Sequence, residues 1–322
     1  MQPEVSTYLN SLTGHPQGDT ASWKARYEPL IDHIDDRFAQ QFEDEQFIAP
    51  KISVVVVAWR ATDGVEKALW HIGQQRGIER HEMEVILVDN SDVPDGLASL
   101  QTSIDHYVDV HIKMKGNMGL SPARNTGMAY ARGELVCFLD DDGLIEFDYI
   151  SVGLGYFDDP NVCAIRSRIT YVNHPYFTTL AGHYDRGPMP LEDCLVTEGS
   201  MMIRRADYMA VGGFADQLYG HEGIELTFQL KQHSPSSKVL YVPDMVMHHD
   251  YIHTWQKFIE KNTRYIKLDA ATDKRTPELQ TFMDEFFARR FPRSPLPPDQ
   301  YIARHLLRLL KYVLQWSVRD QD

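Results

Sequence analysis

The residues best suited to chemistry in this chain are three consecutive aspartates, Asp140, Asp141 and Asp142. They directly follow an apolar run, residues 135–139, which predicts a buried strand. Adjacent carboxylates repel one another, so all three stay ionised in a partly dry site only when a cation or hydrogen bonds offset the repulsion. Mg²⁺ and Mn²⁺ prefer such oxygen ligands. The triplet therefore predicts either a divalent-metal site or a solvated acidic turn.

The elements around the aspartates predict an α/β fold that binds its ligand at one edge of a sheet. The predicted strands are residues 52–57, 84–88, 108–113 and 135–139, and the predicted helices between them are 64–76 and 121–132. Strands that alternate with helices indicate a mostly parallel sheet flanked by helices. Such sheets bind ligands beyond the carboxyl ends of their strands. Asp89 ends the second predicted strand, so we expect it to lie near Asp140.

Changes in composition divide the chain into three parts. The first part is polar and acidic, and the spacing of Leu30, Ile31, Ile34 and Phe38 predicts a helix there. The last part carries 13 basic and 9 acidic residues and is the only part with a positive balance. We expect an N-terminal helical extension (1–49), a catalytic domain (50–255, with halves 50–143 and 144–255) and a C-terminal helical region (256–322).

Composition also excludes several classes of protein. The net charge of −14 argues against a general nucleic-acid binder, which needs a basic surface. The longest apolar runs, 52–59 and 135–139, are far shorter than the roughly 20 residues of a membrane span. The first residues lack the pattern of a secretory signal, and three widely spaced cysteines suit neither a disulfide framework nor a zinc site. A cytoplasmic location is expected.

Six segments between residues 51 and 255 form a recognisable series. They are ISVVVVAW (52–59), EVILVDNSD (84–92), NMGLSPARNTGMAYARGELVCFLDDD (117–142), EGSMMIRRADYMAVGGF (198–214), GHEGIELTFQL (220–230) and VPDMVMHHD (242–250). In content and order the series resembles the family 2 glycosyltransferases with the GT-A fold, most specifically in the third segment. The resemblance implies an enzyme that uses Mn²⁺ or Mg²⁺ to transfer a sugar from a nucleotide-diphosphate donor to an acceptor hydroxyl.

The resemblance also implies roles for the metal-binding residues. Asp140 and Asp142 correspond to the family's D-x-D pair, with Asp142 as direct metal ligand and Asp140 on the ribose or the metal's water. Asp141 is grouped with the donor-binding residues, but its side chain is expected to point elsewhere and to tune the local charge. His249 is the favoured imidazole ligand, counted from Pro243, and His248 is the alternative because neighbours on a strand face opposite ways.

The nucleotide-binding residues follow from the same resemblance. Asp89 would accept the N3–H of uracil, which favours a UDP-sugar. Ala58 and Trp59 replace the pair that is usual in the family, and their backbone is expected to line the base pocket. Arg124 and Asn125 match the family's "ARN" and are expected to brace the D-x-D loop and the nucleotide.

The catalytic base is the position at which the sequence departs from the family. Glu222 matches the glutamate of the family's acidic pair, but Gly223 stands where the aspartate is usual. Residues three apart share a helix face, so Glu222 and Glu225 are expected to look into one cleft, with Glu222 as base and Glu225 holding the site. Inversion is the expected outcome. The E-x-x-E form leaves a retaining transferase open.

The sequence says less about the acceptor molecule and about where in the cell the reaction takes place. A carbohydrate or glycolipid acceptor is expected, in bacterial-type polysaccharide or glycoconjugate synthesis. Residues 301–318 predict an amphipathic helix with an apolar stripe and three basic residues. We expect the stripe to pack on the catalytic domain or on a second subunit, with peripheral membrane contact as the alternative; the oligomeric state stays open.

Two other functions fit the sequence less well than the transferase. A nucleotidyltransferase would need a glycine-rich phosphate loop after the first strand, and AWRATDG (58–64) does not supply one. A non-catalytic sugar- or nucleotide-binding relative is favoured only by Gly223.

Overall fold

The computed structural model describes residues 3–12, 14–40, 49–93, 95–216, 220–271 and 276–319. The strands in these ranges are β1 (Ile31–Asp36), β2 (Ile52–Ala58), β3 (Met83–Asp89), β4 (Val110–Met114), β5 (Leu135–Asp140), β6 (Leu144–Ile145), β7 (Val162–Thr170), β8 (Leu191–Glu192), β9 (Ser200–Arg204) and β10 (Lys238–His248).

The helices in the same ranges lie between and around the strands. They are α1 (Pro3–Ser11), α2 (Thr20–Tyr27), α3 (Arg37–Gln40), α4 (Asp63–Gly73), α5 (Gln101–Tyr107), α6 (Leu120–Tyr130), α7 (Tyr149–Tyr156), α8 (Pro175–Thr178), α9 (Arg205–Ala210), α10 (Glu222–His233), α11 (Trp255–Ala271), α12 (Pro277–Ala288) and α13 (Pro298–Arg319). For residues 39–40, 264–271 and 315–319 only the backbone is described.

One mixed sheet joins all the described strands. Its order is β1-β4-β3-β2-β5-β9-β7-β10-β6, with β8 on β10. The pairs β4-β3, β3-β2 and β2-β5 are parallel, whereas β9 runs antiparallel to both β5 and β7. The four strands and two helices predicted between residues 52 and 139 are therefore confirmed, with shifts of a few residues at their ends.

The parallel strands are apolar because both faces of the sheet are covered. Every residue of β3 is buried, and β2 has one residue that is only partly buried. One apolar cluster lies under α4 and α5, and a second lies under α6 and the N-terminal residues. Burial on both faces requires continuous apolar strands rather than alternating ones, which explains the runs found in the sequence.

The helix predicted around residues 30–38 is wrong. Residues 31–36 form β1, which pairs antiparallel with β4 and extends the sheet at that edge. Leu30 and Phe38 are both buried, but they lie on either side of the strand and not along one helix face. The open hydrogen-bonding edge of β4 outweighed a helical spacing only a few residues long, as tertiary context often does.

The predicted amphipathic helix is confirmed as α13, and it packs on the rest of the chain as expected, but most of its apolar stripe is exposed in the single chain. Ile302, Leu306 and Leu309 are 60%, 59% and 62% exposed. The helix packs instead through Leu307, which is 4% exposed and lies in a cluster with Ile252 and Phe258. The helix therefore has an apolar side that packs on the chain and another apolar side that faces solvent. No helix of the described ranges has the length and apolar character needed to cross a membrane.

Candidate active site

The register of the parallel strands brings the acidic strand ends together. Ala58 at the end of β2 lies opposite Asp89 on β3, and Val57 lies opposite Asp140 on β5. The three strands therefore end at one edge of the sheet, as expected for an α/β protein. This convergence, which the sequence predicted, forms the floor of the candidate site.

A cavity of about 670 Å³ opens at this edge. Its lining includes Trp59, Asn90, Asp140, Asp141 and the loop of residues 117–120. Trp59 is 47% exposed, and the Arg60 guanidinium lies 4.2 Å from its ring centroid. The cavity thus offers an aromatic face, amide groups and carboxylates, which suit a nucleotide.

Asp141 lies in this cavity with Asp140, so the expectation that its side chain points elsewhere is wrong. Its carboxylate accepts a hydrogen bond from the backbone N–H of Trp59. Burial, and then the charges of Asp142 and Asp140, raise the pKa of Asp141 to about 7. A buried carboxylate that resists ionisation beside two other carboxylates fits a site that gains a cation.

Arg124 holds the side chain of Asp140 in place. The guanidinium is buried and donates to Asp140 Oδ1 at 3.1 Å. On its other side Asp140 covers Gly199, because a Cβ at that glycine would lie 1.8 Å from Asp140 Oδ1. Asp140 is therefore fixed by an ion pair and by close packing on Gly199, the residue before β9.

Asp142 and His249 form the second half of the metal-type arrangement. His249 Nε2 lies 3.2 Å from Asp142 Oδ1, and its Nδ1 lies 3.1 Å from the Tyr184 hydroxyl. Burial disfavours the charge of Asp142, but the hydrogen bond from His249 outweighs it and lowers the pKa of Asp142. Burial likewise disfavours the charge of His249, and Asp142 outweighs it and raises the pKa of His249. A carboxylate and an imidazole placed in this way can ligate a divalent cation once the imidazole has lost its proton.

His248 faces the other side of β10. Its Nδ1 lies 2.7 Å from the Thr170 hydroxyl, and its Nε2 lies 2.7 Å from Glu146 Oε1. Both ring nitrogens are therefore engaged away from Asp142. The alternation of side chains along the strand explains why only one of the neighbouring histidines reaches Asp142.

Three residues predicted for the donor site do not present their side chains to the cavity. Ala58 and Asn125 are fully buried, and Asn125 uses its amide on Phe214, Tyr208 and Asp216. Asp89 is 3% exposed and accepts the backbone N–H of Ser91 at 3.0 Å. Asn125 thus braces the segment after α9 and not the nucleotide directly.

The carboxylates of α10 separate into two environments. Glu222 Oε1 accepts the N–H of Gly220 at 2.9 Å, next to His221, whose φ of 67° is left-handed. Left-handed non-glycine residues cost energy and often occur at functional turns. Glu225 instead pairs with His15 of the N-terminal extension, with 3.5 Å between His15 Nε2 and Glu225 Oε1. Glu225 is therefore tied to the extension.

Sequence reasoning missed several residues of the site. Asn90 holds the loop at residues 117–119, since its side chain accepts from Met118 N and donates to the Gly119 carbonyl. Glu198 and Tyr184 were also missed. Glu198 is the first residue of the segment EGSMMIRRADYMAVGGF (198–214). Its place in that segment is the sequence signal that could have identified it as a site residue.

A second group of potential metal ligands lies nearby. His174, Asp250 and His253 place ligand atoms within 4.8 Å of one another. Asp250 already accepts backbone N–H groups from Val172, Asn173 and His174, which indicates that it holds this loop. The histidines of the group were not singled out by the sequence.

A mixed sheet with acidic strand ends, a cavity beyond them and a carboxylate–imidazole pair at the border defines the class of GT-A nucleotide-sugar transferases. Residues 53–212 match the model of glycosyl transferase family 2. This match places that part of the chain in the family, as its sequence segments indicated.

Relatives in sequence carry compatible names. The pre-mycofactocin glycosyltransferase of Mycobacterium tuberculosis is 26% identical over 199 residues, which cover 57% of this chain and 41% of the relative. An uncharacterized glycosyltransferase, YfnE of Bacillus subtilis, is 29% identical over 101 residues, or 31% of this chain and 25% of YfnE. The chain therefore spans less than half the length of these curated relatives.

Solved structures share the fold. The mannosyltransferase PcManGT from Pyrobaculum calidifontis, in complex with GDP-Man and Mn²⁺, superposes with a TM-score of 0.56 at 14% identity and covers 99% of this chain and 86% of its own. TarS of S. aureus in complex with UDP-GlcNAc gives 0.53 at 16% identity and covers 74% of this chain and 71% of its own. These likenesses confirm the predicted GT-A architecture.

Proposed function

We propose that the protein transfers a sugar from a nucleotide-diphosphate donor to an acceptor hydroxyl with inversion. The observation that carries this proposal is the meeting of Asp140, Asp142 and His249 at the edge of the cavity. In this proposal residues 50–143 bind the donor and residues 144–255 bind the acceptor. Two structural neighbours are complexes with nucleotide sugars, one with UDP-GlcNAc and one with GDP-Man.

The cavity supports a nucleotide donor, for which UDP is favoured. Trp59 offers a ring face for a base or ribose, and Asp89 lies at the strand end where the resemblance puts the uracil contact. Asn90 fixes the adjacent loop through three hydrogen bonds. We expect the base to lie against this loop and the diphosphate to extend toward Asp140.

The donor set fits Mn²⁺ or Mg²⁺. Asp142 and His249 would hold the ion, with Asp140 beside them, and Tyr184 orients the imidazole through its second nitrogen. When bound, the ion supplies Lewis-acid stabilisation of the departing diphosphate. Arg124 keeps Asp140 in place for this role.

Glu222 is the proposed base. It stands at the first turn of α10, where its Oε1 accepts the backbone N–H of Gly220. The acceptor's hydroxyl proton moves to this carboxylate as the acceptor oxygen bonds to the anomeric carbon, and the bond from that carbon to the diphosphate breaks on the opposite face. Inversion follows from this single displacement.

We also propose a peripheral membrane setting with a carbohydrate or glycolipid acceptor. Along α13 the exposed residues Ile302, Leu306, Leu309, Leu310 and Val313 form one apolar face. The helix contains four basic residues and one acidic residue, Asp299, within a chain whose net charge is −14. Basic amphipathic helices of this kind bind anionic lipid surfaces. A cytoplasmic location and a role in polysaccharide or glycoconjugate synthesis belong to the same proposal.

A thermal-shift screen of nucleotide sugars with and without Mn²⁺ tests the donor and the metal. A ligand that binds only the folded protein raises its Tm. We expect a UDP-sugar to raise the Tm in the presence of Mn²⁺, and Asp142→Asn to lose that increase. Asp105→Asn, at a side chain that is 57% exposed, is the matched control and should keep it. If no nucleotide sugar changes the Tm, the proposed function fails.

A further inference from the structure

The structure gives a physical reason for the glycine that interrupts the acidic pair. A Cβ built on Gly223 would lie 1.6 Å from the backbone oxygen of Leu195, which no side chain can tolerate. The same Cβ would lie 2.9 Å from Glu198 Oε1. The space that an aspartate at position 223 would need is therefore occupied by a backbone carbonyl and by the carboxylate of Glu198.

Glu198 is attached directly to the first turn of α10. Its Oε1 accepts the backbone N–H of Gly223 at 2.8 Å. The positive end of the helix dipole favours a carboxylate at this point. Since Gly223 follows Glu222 in the chain, this hydrogen bond brings the Glu198 carboxylate next to the proposed base.

Glu198 is also linked to the donor side of the site. The next residue, Gly199, packs against the side chain of Asp140. Arg124, which donates to Asp140, lies close enough to Glu198 to favour its ionised form. Burial and the charge of Glu222 oppose this and raise the pKa of Glu198. Glu198 therefore lies between the carboxylate that takes the proton and the arginine that braces the D-x-D pair.

We propose that Glu198 replaces the missing aspartate as a positioning residue and forms a carboxyl pair with Glu222. The role is the one that the sequence had given to Glu225, which instead contacts His15. This inference rests on the proposed function. Two neighbouring carboxylates repel each other, so the transfer of the acceptor's proton to Glu222 removes a repulsive charge and becomes more favourable. The hydrogen bond to Gly223 fixes the geometry of the pair.

The test compares Glu198→Gln with Glu222→Gln, the double variant and a control, Glu134→Gln. Glutamine at 198 keeps an acceptor for the Gly223 N–H, so the Tm and donor binding should be unchanged. Donor hydrolysis or transfer should fall about tenfold or more, and the acidic limb of its pH profile should move to lower pH. The double variant should be no slower than Glu222→Gln alone, because the pair acts as a unit. Glu134 is 78% exposed and should be silent.

A purely structural role for Glu198 predicts a different result. In that case Glu198→Gln would leave both the rate and the pH profile unchanged, and the proposal would be overturned. If the wild-type protein neither binds nor cleaves a nucleotide sugar, the proposed function fails, and the pair is judged by infrared titration instead. A carboxyl band whose titration moves to lower pH in Glu198→Gln and in Glu222→Gln supports the pair, because each variant removes the charge of the partner carboxylate. The absence of such a band overturns it.

Discussion

At the scale of single residues, the site depends on how carboxylates are kept ionised or protonated. Asp142 has His249 as a partner and stays ionised more easily, whereas Asp141 has two charged neighbours and a buried position. The three consecutive aspartates are thus not equivalent. Their environments separate one residue suited to holding a cation from one that binds a proton near neutral pH.

Asp141 makes the stability of the metal-free protein depend on pH. Its pKa is about 7 in the folded protein against an ordinary value of 3.8. Between these values the folded protein binds a proton that the unfolded chain releases, so stability falls as the pH rises through that range. We expect Asp141→Asn to reduce the drop in Tm between about pH 5 and about pH 8. Asp105→Asn should leave the drop unchanged, and an unchanged drop in Asp141→Asn would contradict the prediction.

At the scale of elements, the start of α10 and the segment before β9 fit closely together. The start of α10 approaches the backbone before β9 so closely that only glycine fits at position 223. The N-terminal extension contributes as well, because His15 contacts both Glu225 and the Gly213 carbonyl. An element outside the matched family region therefore supports the helix that carries the proposed base.

Two glycine-to-alanine substitutions in helices test this packing. Gly223→Ala should destabilise the protein by about 1–3 kcal/mol or more, because its Cβ would overlap the Leu195 carbonyl. Gly155→Ala in α7 is the matched control, since a Cβ there meets no atom within 4 Å. It should stabilise the protein by up to about 0.5–1 kcal/mol, the usual gain of alanine over glycine in a helix. Urea unfolding measures both, and equal effects would refute the steric argument.

At the scale of the whole molecule, the chain has an uneven distribution of charge and apolar surface. The catalytic core is acidic, while α13 is basic and presents leucines to solvent. A second copy of the chain would bring two basic helices together, which their like charges oppose. An anionic membrane complements the helix in both charge and apolar character.

Vesicle sedimentation measures this association. We expect binding to vesicles of phosphatidylcholine with phosphatidylglycerol, weaker binding to phosphatidylcholine alone and weaker binding in high salt. The double variant Leu306→Glu, Leu309→Glu should lower the bound fraction about tenfold or more. Met189→Glu, at a side chain that is 68% exposed and outside α13, is the control. A wild-type protein that dimerises in solution and ignores vesicles would identify a second copy as the occupant.

The sequence by itself determined the parallel strands, the acidic residues at their ends and the family. These features are local: an apolar run predicts a strand, and parallel strands bring their carboxyl ends to one edge wherever the rest of the chain goes. Asp89, Asp140 and Asp142 could be identified because each stands in or next to such a run. The roles given to individual site residues stay predictions.

Tertiary structure alone decided the features that depend on contacts between distant segments. Residues 31–36 form a strand because β4 offers an open edge. His249 rather than His248 contacts Asp142 because neighbouring side chains lie on opposite faces of β10. Glu198 came to lie beside Glu222 because two segments approach too closely for a side chain at 223. No local pattern records such distances, since packing between elements sets them and not the spacing of residues along one element.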